Sequence, residues 1–261
     1  MKQSDQFKSR DNQSQVLDIS NPGCLFCKSK KNSFQGEEHI IPESLGNNEL
    51  ILKKGVVCDK CNNGVLAELD QALVEFDPIL FFRTFHGVKN KKNKVPASSF
   101  NTMKMDNPTG GHVNIKLDKM TKKYFEETPE GFRLHWRGKR HMSAKNIKIL
   151  ARALYKIGLE IVYLDHGSDF AHTPRFDEVR EIILGKKDFS GYLLVGTNKG
   201  PVNPSMKSGI TYRFLKSNED NREFALFEFD YLLVKIIFDM ERRICKLDNG
   251  LKIGDCNVLK F

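Results

Sequence analysis

No run of about 18 uninterrupted apolar residues occurs in the 261-residue chain, so nothing in it is suited to span a bilayer. The opening stretch, MKQSDQFKSRDNQSQ, lacks the apolar segment of an export signal. A cytoplasmic address is therefore expected, where thiols stay reduced and structural disulfides are rare. There is no internal repeat and no low-complexity tract, which argues against solenoids and fibrous folds. Neither a glycine-rich phosphate loop nor a serine nucleophile elbow is present, so nucleotide-phosphate and serine-hydrolase chemistries have no starting point.

Basic charge is present and unevenly placed. The net charge is +9, yet residues 86–156 alone hold 17 Lys/Arg against 5 Asp/Glu, a local net of +12. Such concentration is the footprint of a surface that meets a polyanion. Within it, Phe132, Leu134 and Trp136 alternate with Arg133, His135 and Arg137, and Lys139 and Arg140 follow. A strand with its apolar face inward would turn Arg133 and Arg137 toward a phosphate backbone. Arg133, Arg137, Lys139 and Arg140 are accordingly the candidate nucleic-acid-binding residues.

The pattern of the chain predicts an α+β fold in three parts. Residues 1–19 are polar and aperiodic, a flexible lead-in. Residues 20–85 form a small cysteine-rich module closed by an amphipathic helix through Val65, Leu69, Leu73 and Phe76, with Pro78 as its stop. Residues 86–261 form a larger mixed domain. It opens with a loop over 86–110 and alternating strands near 113–117 and 132–136, joined through a turn at 128–131. Ser143 then caps a long helix whose buried stripe runs Ile147, Leu150, Ala151, Leu154, Ile157, Gly158 and Ile161. A shorter helix near 175–184 closes at Gly185. Strands follow at 192–195, 210–215, 224–239 and 242–247. The histidines at 135, 141, 166 and 172 belong to no motif, and Cys245 and Cys256 read as small buried hydrophobes.

Four of the six cysteines form two C-x-x-C pairs, Cys24/Cys27 and Cys58/Cys61. Each pair can offer both sulfurs to one ion from a tight turn, and two pairs complete a tetrahedral shell suited to Zn²⁺. A redox dithiol or four unrelated buried thiols are the competing explanations, but a redox pair needs no second knuckle. Between the pairs lies Glu38-His39-Ile40-Ile41-Pro42-Glu43-Ser44-Leu45-Gly46, and Asn62-Asn63 follows the last cysteine. On an extended segment Glu38 and His39 point to opposite faces. Closing the sulfur clip would bring Asn62 near that strand. The Glu38 carboxylate and the Asn62 amide oxygen could then hold a hard divalent ion, Mg²⁺ or Mn²⁺, while His39 deprotonates water.

This ordered set, C-x-x-C, E-H-I-I-P-x-S-L-G and V-C-x-x-C-N-N, resembles the zinc-bound branch of the HNH endonucleases with their ββα-metal fold. The resemblance covers residues 21–77. It implies His39 as general base, Glu38 in the place usually held by a metal-binding aspartate, and Asn62 as the final metal ligand, with Asn63 the alternative one residue on. Cys24, Cys27, Cys58 and Cys61 match the structural zinc ligands. The family's middle asparagine, which orients the catalytic histidine, falls where Lys53 and Lys54 stand, and Asn47 and Asn48 lie upstream. The implied activity is hydrolysis of DNA phosphodiesters, leaving 5′-phosphates, by a monomer or a homodimer. A zinc-stabilised nucleic-acid-binding protein without catalysis and an RNA nuclease are the alternatives.

Overall fold

The longest element of the computed structural model is a helix, α4 (Ala144–Ala171), and the rest of the fold is arranged around it. Residues 22–90, 92–100, 103–109, 111–117, 125–129, 131–134, 143–197, 209–216, 226–241 and 256–261 are described. Ser143 caps α4 as its sequence predicts, the hydroxyl accepting a hydrogen bond from the Asn146 amide at 3.2 Å. The expected apolar stripe is buried, but so is everything else between Ala153 and Val162, because the helix has protein on both sides. Lys156 and Glu160 are thereby carried into the interior with their apolar neighbours.

One side of α4 receives the N-terminal module. There β1 (Glu38–His39) pairs antiparallel with β2 (Ile51–Leu52). Helix α1 (Asp59–Cys61) passes through a wide π-type turn, Asn62–Leu66, broken at Gly64, into α2 (Ala67–Val74), which packs on α4. Pro78 does more than end this run. It lies in the first turn of a further helix, α3 (Asp77–Phe85), where its fixed φ and missing N–H cost nothing.

The stretch 86–110 is not all loop. It contains β3 (Ser98–Phe100) and β4 (Met103–Asp106), which join β5 (Asn114–Leu117) in a three-stranded antiparallel sheet. Met103 and Met105 face Phe81 of α3 in a small separate core. An antiparallel hairpin, β6 (Phe125–Thr128) and β7 (Gly131–Leu134), follows with Thr128 opposite Gly131, so β7 pairs with a strand absent from the sequence reading, and the expected 113–117 strand pairs with β4 instead.

The other side of α4 receives a five-stranded sheet. After α5 (Asp177–Ile183) come β8 (Tyr192–Thr197), β9 (Ile210–Leu215), β10 (Leu226–Tyr231), β11 (Val234–Phe238) and β12 (Asn257–Lys260). Their order is β12-β8-β11-β10-β9, every pair antiparallel. The strand expected over 224–239, long enough to bend or break, does break: it is two strands folded at Leu232, whose φ of 54° makes the reversal. Tyr155 fixes α4 to this sheet, its hydroxyl donating to the Asp239 carbonyl at 2.9 Å. Gly158 allows the close approach, since a Cβ there would stand 2.6 Å from the Met240 sulfur. Apolar residues of the module, of α4 and α5, and of the large sheet form one continuous core. The strand expected over 242–247 lies outside the described residues. No helix among those described is long and apolar enough to cross a membrane.

Candidate active site

The two C-x-x-C pairs meet. The Sγ atoms of Cys24, Cys27, Cys58 and Cys61 all lie within 4.8 Å of one another, with three of the four residues buried. Each knuckle is a tight turn. At the first, Gly23 has φ +90°, and a Cβ there would stand 2.5 Å from the Lys28 carbonyl oxygen. The Cys58 amide donates to the Cys24 sulfur at 3.4 Å, and the Asn32 side-chain amide donates to the Cys58 sulfur at 3.2 Å. Donors aimed at sulfur favour thiolate, the form that binds metal. A hydrogen bond from Cys61 pulls the Cys24 thiol down to about 4, while its bond to Cys24 and burial push the Cys61 thiol up. Four sulfurs brought this close by two turns match the ligand shell of a tetrahedral dication, so the cluster fits a zinc ion.

The clip is anchored beyond itself. Arg180 of α5 donates from Nε to the Leu25 carbonyl at 2.7 Å, and also bonds the Ala171 carbonyl and the Asp177 carboxylate. The His172 ring contacts the Gly23 carbonyl at 3.3 Å. At the second knuckle, the Asp59 carboxylate accepts the amides of Gln35 and Gly36 at 3.0 and 2.9 Å, tying the chain before β1 to the turn.

Glu38 and His39 sit on opposite faces of β1, as the alternation predicts. Asn62 meets this strand's lead-in: its Nδ2 donates to the Glu37 carbonyl at 3.0 Å, and its Oδ1 accepts no hydrogen bond from the described residues. Asn63, one residue on, is exposed. His39 is half-buried, and its Nδ1 is shielded from solvent with no hydrogen-bond partner among the described residues. The Glu38 carboxylate and the Asn62 amide oxygen are thus oxygen donors on a strand and on the helix start bonded to its lead-in, while His39 turns to the strand's other face.

Glu38 itself is only 3% exposed, and its Oε1 is 2.6 Å from Lys156 Nζ. Lys156 also reaches Asp70 Oδ1 of α2 at 2.8 Å, the His39 carbonyl at 3.2 Å and Glu160 Oε2 at 3.6 Å. Burial would lower the lysine's pKa, but the charges of Glu160, Asp70 and Glu38 outweigh it and hold the ammonium well protonated. Burial pushes the Glu38 and Glu160 carboxyls up despite Lys156. Both Glu160 oxygens are buried with no hydrogen-bond partner among the described residues.

Asn47 is the residue that sequence reasoning left between candidates. It is buried after the 3₁₀ turn Glu43–Leu45, donating to the Ile41 and Leu50 carbonyls at 2.7 and 3.0 Å. Its Oδ1 accepts the Glu49 and Leu50 amides at 3.2 and 2.9 Å. One side chain thus ties the segment leaving His39 to the segment entering β2, while Lys53 and Lys54 are exposed. Lys156 and Asp70 had no part in the motif. The sequence signal for Lys156 is its i, i+4 pairing with Glu160 inside an otherwise apolar run, Ala153 to Val162, and Asp70 carries none. Of the basic candidates, Arg133 lies on β7 in register with Glu126, and Arg137, Lys139 and Arg140 lie outside the described residues.

Residues 24–76 match the family model described as HNH endonuclease. With the four clustered cysteines, this makes the segment an HNH module with a site fit for zinc. No curated protein and no solved structure matches the chain.

Proposed function

We propose that the module is a divalent-metal-dependent endonuclease acting on DNA, and that the basic stretch 86–156 docks the substrate. The observation that carries this reading is the hydrogen bond from Asn62 to the Glu37 carbonyl. It joins the helix start behind the second knuckle to the strand bearing Glu38 and His39. Glu38 and the Asn62 Oδ1 would hold Mg²⁺ or Mn²⁺, which when bound offsets charge on the scissile phosphate and on the leaving 3′-oxygen. His39 faces away from Glu38 and accepts the proton of the attacking water, an imidazole's usual task near neutral pH. Asn47 holds the loop after His39, and so the direction in which that ring is presented. In-line attack leaves a 5′-phosphate.

Nicking of a supercoiled plasmid in Mg²⁺ and in Mn²⁺ tests the assignment. His39→Ala should slow nicking by about 10²–10⁴-fold, the usual worth of a general base. Equal rates for wild type and variant would overturn it. A second reading, a zinc-stabilised nucleic-acid-binding protein without catalysis, draws support from the ammonium already resting on Glu38. Retention of DNA with no nicking by the wild type would select it, and the same assay on an RNA hairpin separates the two substrates.

A further inference from the structure

Lys156 lies outside the family-matched segment, on α4, yet it touches the strand that bears both candidate catalytic residues. Its Nζ has no exposure, and it contacts Glu38 Oε1 at 2.6 Å and the carbonyl of His39 at 3.2 Å. The same ammonium is shared with Asp70 of α2 at 2.8 Å. An ordinary surface salt bridge would leave Glu38 free to exchange lysine for a metal ion at little cost. A fully buried ammonium cannot withdraw into solvent, so any ion arriving at Glu38 meets a positive charge fixed on the same carboxylate.

Resting on the proposed metal role of Glu38, we infer that Lys156 is a positioning residue and a built-in counter-cation. It holds the Glu38 carboxylate and the His39 backbone in place, and it shares Glu38 with the divalent ion, so that α4 sets how tightly the centre binds metal. Asp70 moderates this by taking part of the lysine's charge away from Glu38. A merely structural lysine predicts that any change at positions 70 or 156 loosens the strand and weakens metal binding. A counter-cation predicts that the two changes act in opposite directions.

The test is a titration of the zinc-loaded full chain with Mn²⁺, read as free Mn²⁺ by electron paramagnetic resonance. Lys156→Met should tighten Mn²⁺ binding, and Asp70→Asn should weaken it, each by about tenfold, the scale on which one close charge shifts an ionic equilibrium. In a Glu38→Gln background, which itself weakens binding, both effects should vanish. Weaker or unchanged binding in Lys156→Met, with Glu38→Gln still weakening it, overturns the counter-cation while leaving the metal role of Glu38 intact. Unchanged binding in Glu38→Gln overturns both. Should Lys156→Met fail to fold, Lys156→Gln takes its place as the neutral variant: tighter binding that disappears with Glu38→Gln upholds the inference, and weaker or unchanged binding sinks it, since weakening in Asp70→Asn is also what a structural pair predicts.

Discussion

The module has two centres, and they are built on opposite plans. The sulfur cluster draws all its ligands from residues 24–61 and is closed by two tight turns. The carboxylate centre begins on the same short stretch of chain, at Glu38, but is completed by Lys156, whose contact to the His39 carbonyl spans 117 positions. One centre is local and takes its shape from two tight turns, in an arrangement that fits a zinc ion. The other is non-local and takes its shape from the packing of α2 and α4 around a charge that cannot reach water. A module of this size has little core of its own, so a site fit for metal on one side and the rest of the chain on the other are the supports open to it.

Removing the metal is the largest available test of that contrast. Structural zinc contributes about 10–16 kcal/mol in small metallo-domains, as much as or more than the ~5–15 kcal/mol that holds a typical domain together. Cys58→Ser, or chelation of the wild type, should therefore unfold the module and uncover the α4 face it packs on. Zinc content by atomic absorption should fall from one per chain together with the far-ultraviolet helical signal. A Cys58→Ser protein that keeps the wild-type spectrum and melts within a few degrees of it would mean that α4 and α5, through Lys156 and Arg180, hold the module without metal.

The same contrast explains what was legible in the sequence. The knuckles, the Glu38–His39 strand, the Ser143 cap and the 210–215 strand are local patterns, and each has its expected place. The hidden features are those decided by distant neighbours. Residues 153–162 read as one apolar stripe because periodicity reports one partner surface, whereas α4 has two and buries its charged residues as well. The helix Asp77–Phe85 was masked by Pro78, which serves equally as a stop or as a first turn. The strands at 98–100, 103–106 and 257–260 are short and sit among Lys, Asn and Ser, so they gain their order from the strands beside them rather than from propensity. Asn47 stood in view, but only the Pro42–Gly46 turn decides that its amide points inward.

Asn47 comes next in expected size. Its four hydrogen bonds run to backbone groups on both arms of the loop, and truncation takes the donor from the Ile41 carbonyl and the acceptor from the Glu49 and Leu50 amides, while the Leu50 carbonyl keeps the Ile40 amide at 3.1 Å. Unsatisfied buried groups cost about 1–3 kcal/mol each, so Asn47→Ala should lose roughly 2–4 kcal/mol in urea unfolding, with zinc still bound. Because the loop leads directly from His39, cleavage should fall more than stability alone accounts for. A stability change under about 0.5 kcal/mol, typical of a neutral surface substitution, would show that the sulfur clip by itself fixes the hairpin.

The smallest expected effect is one of sign, and it sets the two centres against each other along the pH axis. Asp59 stands beside the second knuckle, and hydrogen bonds from Ser33 and from the Gly36 and Gln35 amides hold its carboxyl below the ordinary 3.8. A group depressed on folding adds stability above its unfolded value and loses it as pH falls through the folded one. Glu38 and Glu160 are shifted upward from the ordinary 4.5, so their contribution is whole below that value and is lost as pH rises. Acidification should thus loosen the 33–36 segment at the sulfur end while leaving the carboxylate end no weaker. Hydrogen exchange at the Gln35 and Gly36 amides, compared between wild type and Asp59→Asn with zinc held saturating, checks this. Protection should drop below about pH 4 in the wild type and be low and flat with pH in the variant, since an amide at position 59 has no charge to lose. Equal profiles would place the acid sensitivity of that end in the thiolates alone and leave Asp59 a bystander to the clip it borders.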